Sequence, residues 1–156
     1  MWSKKNFNLN KIKVHSIYFM ELPKDKKIIL FDGVCNLCNN SVNFIIEHDK
    51  KDVFRFASLQ SEIGKKLISD RGIDPEVMDS IVLIEPGVAY YQKSNAALEI
   101  TRELSGGYSF LRYFSFLPEV FRDGIYDFIS NNRYKWFGKK EACMIPTPEL
   151  KAKFLD

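Results

Sequence analysis

The sequence predicts an α/β fold: a mixed four-stranded sheet flanked by helices, with an added aromatic-rich helical C-terminal region. Three observations carry this. Short apolar runs of strand length alternate with segments of helical period. A Pro86-Gly87 turn separates the last two strand runs and makes them a hairpin. Beyond Gly106-Gly107 the strand signal ends and aromatics crowd into helical stretches. With 156 residues, 46% hydrophobic and 28% charged, the chain has the composition of one ordinary globular domain.

Met1 to Phe19 has no clear period and is rich in Lys and Asn. It reads either as a disordered arm or as sequence ahead of a natural start at Met20. Residues 20–156 are expected to form a single domain. Its first strand is Lys27 to Asp32, whose continuous apolar run suits burial on both faces. A helix from about Cys35 to His48 follows, then a strand at Val53 to Ala57. Ser58 is expected to cap a helix that runs to Arg71 and stops at Gly72. A strand–helix–strand crossover predicts that the first two strands are parallel. Ser80 to Glu85 and Val88 to Gln92 are the hairpin strands, and Ser94 is expected to cap a helix at Asn95 to Leu104. Two aromatic helical stretches follow, Tyr108 to Leu117 and Pro118 to Ile129, with Pro118 suited to a helix start. Arg133 to Lys140 is basic and aromatic, and Thr147-Pro148-Glu149-Leu150 signals a short closing helix. The order βαβα then ββα is the thioredoxin-like order.

The chemistry concentrates where the first strand meets the first helix, at Asp32-Gly33-Val34-Cys35-Asn36-Leu37-Cys38. Residues three apart on a helix lie roughly 5–6 Å apart. That falls inside the roughly 4.4–6.8 Å Cα separation of a disulfide, so such a pair opens and closes with little backbone movement. Cys35 is expected at the helix start, where unpaired N–H groups and the helix dipole favour thiolate. It is the candidate attacking thiol, and Cys38, expected to be the less exposed, is the candidate resolving thiol. Asp32 has two compatible roles: a carboxylate that exchanges protons with the dithiol, or a turn former with Gly33 and helix cap. Cys143, after a basic segment, is either an additional active-site thiol or a small buried hydrophobe.

The Asp32-x-x-Cys35-x-x-Cys38 pattern after an apolar strand resembles the DCC family of predicted thiol-disulfide oxidoreductases, which is named for it. The resemblance runs from about Lys27 to Leu155. It includes Asn132 to Leu150, which is similar to the family's ending. It implies a thioredoxin-like fold and a dithiol–disulfide activity. Ordinary thioredoxins place a cis-proline before the third strand; here Met78-Asp79-Ser80 stands there and Pro75 comes too early.

Other chemistries fit less well. Ile29 to Val34 resembles the opening of haloacid dehalogenase-type phosphatases, but Leu30 occupies the place of their nucleophilic aspartate. Zinc needs about four ligands, and only Cys143, His48 and His15 remain among Cys and His. His48 reads as a helix-end residue. No cofactor is implied. Lys4, Lys5, Lys11 and Lys13 exceed the whole net charge of +3, so the rest is slightly acidic and no nucleic-acid partner is expected. No apolar run approaches a membrane span, and no secretory segment is recognised; with few cysteines, the expected compartment is the cytoplasm. The expected partners are a disulfide-containing substrate and an external thiol or reductase for recycling. A non-catalytic binding module using the aromatic C-terminal surface is the second reading. The aromatics from Tyr108 to Phe128 are expected chiefly to pack as core.

Overall fold

A run apolar on both faces cannot sit at a wet edge, and β1 (Lys27–Phe31) lies inside the sheet, with Ile28, Ile29 and Leu30 fully buried. The computed structural model describes residues 22–74, 80–143 and 145–156. The expected arm before Met20 and the loop positions Pro75, Met78 and Asp79 fall outside them. The sheet order is β2-β1-β3-β4. β2 (Phe54–Ser58) pairs parallel with β1, as the crossover through α1 (Asn36–His48) demands. β3 (Val82–Glu85) runs antiparallel to β1, and β4 (Ala89–Gln92) antiparallel to β3. This is the mixed sheet of a thioredoxin-like fold.

Alternation along the strands sorts the core into two layers. Ile29, Phe31, Phe54, Phe56 and Leu83 face α1 and α3 (Lys93–Glu103). Ile28, Leu30, Val82 and Ile84 face α2 (Glu62–Asp70). The chain end returns to this core: Phe154 packs against Phe31 and Phe56, with ring centroids 6.2 and 5.6 Å away. Leu155 N donates to Phe56 O at 2.8 Å, fixing that return along the β2 edge.

Several expectations are corrected. Ser61, not Ser58, caps α2, because Ser58 is still the last residue of β2. Ser94 does not cap α3; its hydroxyl bonds Asp123 instead. The second aromatic helix does not end at Ile129. After the 3₁₀ segment Tyr108–Phe116, α4 (Glu119–Phe137) runs from Pro118 to Gly138, so the basic aromatic block is largely helical. In place of the expected closing helix there is a turn and a short 3₁₀ segment, Lys151–Lys153.

The aromatic stretch is not core. Phe116 is 78% exposed and Phe121 59%, and the 3₁₀ segment has no buried residue. The physical reason is that α1 and α3 already cover this sheet face. α4 touches them on one side only, through polar pairs such as Ser94–Asp123 and Lys93–Asp127 and through Tyr126, Ile129 and Arg133, and its phenylalanines face outward. None of the helices among the described residues is long and apolar enough to cross a membrane.

Candidate redox site

Asp32 leaves β1 into a tight turn: its carbonyl accepts the Cys35 N–H at 3.3 Å, and its carboxylate accepts the Val34 N–H at 3.1 Å. The turn delivers Cys35 in extended conformation (φ −85, ψ 122) as the N-cap of α1. An N-cap side chain accepts from the first turn. Here the acceptor is sulfur, and Cys35 Sγ takes the Cys38 N–H at 3.3 Å. Cys38 stands one turn further in, and both thiols are free.

The two cysteines differ electrostatically. Burial pushes the Cys38 thiol well above its ordinary range, followed by its hydrogen bond to Cys35 and the negative charges of Cys35 and Asp32. Cys35 has an N–H donor on its sulfur and sits at the positive end of the helix dipole. Accessibility runs opposite to the sequence expectation: Cys35 is 0% exposed, while Cys38 is only partly buried. The cause is a strap formed by residues 138–140. Asn36 N donates to Gly138 O at 3.3 Å, Lys140 N to Val34 O at 2.7 Å, and Lys139 bridges Cys35. The Asn36 amide adds a bond to Phe137 O at 2.9 Å. Gly138 is required here, with φ 85 and an ideal Cβ only 3.0 Å from Asn36 Nδ2.

Asp32 is buried and fully engaged. Gln60 Nε2 donates to Oδ1 at 2.8 Å, Arg133 donates to Oδ2 at 3.2 Å, and the Tyr134 hydroxyl donates to Oδ2. Burial acts to raise the Asp32 pKa. The bonds from Tyr134, Gln60, the Val34 N–H and Arg133 outweigh it and hold the carboxyl below its usual range. The Tyr134 hydroxyl is pushed up to about 12, first by burial and then by the carboxylate, so it stays a donor. Asp32 thus performs the turn role; the helix cap is Cys35 itself. Arg133, Tyr134 and Gln60 were not singled out from the sequence. The signal available was an arginine and a tyrosine side by side in an aromatic, basic block.

Cys143 lies against the same turn. A Cβ on Gly33 would meet Ser58 Oγ at 2.8 Å and Cys143 Sγ at 3.2 Å, so glycine permits this approach. The thiol is 3.6 Å from Ser58 Oγ and 3.9 Å from Gln60 Oε1. Ser58 donates to that same Gln60 oxygen at 2.6 Å, which ties Cys143 to the cluster that holds Asp32. On the other side of the dithiol is a cavity of about 530 Å³ between α1, α3 and α4, with Cys38, Asp32 and Arg133 in its wall. His48 lies at the far end of α1 against Phe44 and Tyr108, as a helix-end residue. Among the described residues, no group of three or more His, Cys, Asp or Glu is arranged to hold a metal.

The family model described as DCC1-like thiol-disulfide oxidoreductase matches residues 29–139. The chain is 47% identical over 129 residues to the Bacillus subtilis (strain 168) uncharacterized protein YuxK, covering 83% of this chain and 93% of that protein. It is 42% identical over 134 residues to the chloroplastic DCC family protein At1g52590 of Arabidopsis thaliana, covering 85% of this chain and 76% of the relative. No solved structure matches.

Proposed function

The chain belongs to the DCC1-like thiol-disulfide oxidoreductase family, and on that premise we propose that it exchanges a Cys35–Cys38 dithiol with the disulfide of a substrate. The observation that carries the reading is Cys35 as a helix N-cap whose sulfur accepts the Cys38 N–H. That bond is made best by a thiolate. Cys35 attacks one sulfur of the substrate and forms a mixed disulfide, and the other sulfur leaves as a thiol. Cys38 then attacks Cys35 Sγ, gives up its proton and releases the second substrate thiol. Two electrons and two protons pass to the substrate, and the Cys35–Cys38 disulfide remains. An external thiol or reductase returns the dithiol. The Cys38 thiol, pushed up first by burial, stays protonated and does not compete for the first attack, which suits this order.

Asp32 acts in this reading as a positioning residue that shapes the turn below Cys35, not as the proton store: a carboxyl held below its usual range takes up protons poorly. Because Cys35 is buried, attack requires residues 138–140 to move. A reducing compartment such as the cytoplasm suits a chain with only three cysteines, too few for a disulfide scaffold.

Redox titration of the purified protein, read by thiol alkylation and mass, tests the reading. The expected result is a two-electron couple lost in both Cys35→Ser and Cys38→Ser. Cys38→Ser should trap mixed disulfides through Cys35. Full disulfide reductase activity in Cys35→Ser would overturn it.

A further inference from the structure

The cavity beside Cys38 is apolar almost throughout. Leu37 and Phe44 of α1, Ile81 before β3, Ile100 of α3, Leu104 just after it and Ile129 of α4 form its apolar walls. Cys38, Asp32 and Arg133 also line it, and the Asp32–Arg133 pair is joined at 3.2 Å. At about 530 Å³ it has the size of a small-molecule site. Side chains of a well-packed core leave no such space. A charged or strongly hydrated group would lose much of its water against these apolar walls.

We propose that this cavity binds the apolar alkyl or aryl group of the disulfide substrate and thereby sets the substrate class. The inference rests on the exchange reading above. The apolar group fills the space between α1, α3 and α4, with its sulfur at the dithiol end. Cys35 is not among the cavity's lining residues; once residues 138–140 move, it forms the mixed disulfide with that sulfur and expels the other thiol. Cys38, in the cavity wall, then closes the Cys35–Cys38 bond and releases the apolar thiol. Disulfides with charged, hydrophilic flanks, such as glutathione disulfide, lack the group this space accepts. The same chemistry is supplied by a small alkyl disulfide or by an apolar side chain next to a cysteine in a peptide.

The test uses the full-length reduced protein and mixed disulfides of n-alkyl thiols with thionitrobenzoate, from methyl to hexyl. Release of the coloured thiol in a single turnover gives the second-order rate constant. Each buried methylene is expected to raise it about three- to fourfold until the cavity is full. Ala97 and Thr101 lie one turn apart on the cavity side of α3, and Ala97 is exposed, so larger side chains there fill the space with little disturbance of the core. In Ala97→Trp and, independently, Thr101→Phe, the hexyl-to-methyl ratio should fall toward one. Paired short peptide disulfides with Phe or Ser beside the cysteine form the second arm. A chain-length slope with no Phe preference assigns a small-molecule source, and a Phe preference with no slope assigns a peptide source. A flat response in both arms overturns the proposal, as does an unchanged slope in both filled variants. Calorimetry of a Cys35→Ser/Cys38→Ser protein with inert di-n-alkyl thioethers separates this inference from the exchange reading. Binding that tightens with chain length upholds the cavity even if the redox titration finds no couple, and no binding defeats it.

Discussion

Asp32 shows how one buried charge organises the site. Its carboxylate has four partners: the Val34 N–H, Gln60, Arg133 and Tyr134. Removing one member of a buried ion pair strands the other and costs about 3–5 kcal/mol. Arg133→Met should therefore lower Tm by roughly 10 °C, since about 1 kcal/mol corresponds to 2–4 °C at this chain length. A fall of only a degree or two would mean the pair is solvated. The sign of the pH effect follows from the depressed Asp32 pKa. The ionised carboxylate contributes its full stability above the ordinary carboxylate range, about pH 4, and loses it as pH falls through its lower folded value. Asp32→Asn should flatten the acid limb of a Tm-against-pH curve, and an acid limb as steep as the wild type's would refute that role. The dithiol was legible because its logic is local: two cysteines three apart at a helix start. The partners of Asp32 were not, because Gln60, Arg133 and Tyr134 lie 28, 101 and 102 positions away. No local period encodes such contacts.

Among the elements, α4 carries both the Arg133–Tyr134 pair and the strap over Cys35. Pro118 and Gly138 mark its ends by simple rules: Pro118 stands at the N-cap, and Gly138 adopts a φ that other residues avoid. Past the expected end at Ile129, Ser130, Asn131 and Asn132 are weak helix formers, yet the helix continues through them. Tertiary anchoring of Arg133 overrides that local preference. The strap then decides how accessible Cys35 is. Gly138 combines φ 85 with ψ 167, a region open essentially to glycine and worth about 1–3 kcal/mol of strain for other residues. Gly138→Ala should therefore loosen the strap. At about 1.4 kcal/mol per factor of ten, Cys35 should alkylate roughly ten times faster near neutral pH. Tm should drop by a few degrees in the same variant. Mass-resolved labelling rates check this. Wild-type Cys35 kinetics with a lowered Tm would show that something other than the strap shields the thiol.

At the scale of the molecule, the C-terminal third contributes to stability through a few inward residues, while most of its aromatics face water. Composition alone could not reveal this. Phe116, Phe121 and Phe154 are the same residue type, and their spacing does not say which helix face the sheet leaves uncovered. Phe154 is 8% exposed and packs on Phe31 and Phe56. Phe116, Val120 and Phe121 are 78%, 87% and 59% exposed. A phenylalanine removed from a core costs about 3–5 kcal/mol, whereas surface substitutions usually stay within about 0.5 kcal/mol. Phe154→Ala alone should therefore lower Tm by roughly 10 °C. The triple change Phe116→Ser, Val120→Ser and Phe121→Ser should lower it by a few degrees at most, and should reduce binding of an apolar dye, because it breaks up an exposed apolar patch. Ending the chain after Gly107 removes Phe154 and Arg133 together, which opens the core and leaves Asp32 without its cation. That product should be molten or aggregated for those two reasons, not for loss of the exposed phenylalanines. Thermal melts of the three proteins decide the matter: a triple variant that melts as low as Phe154→Ala would mean that the outward aromatic face is itself packed.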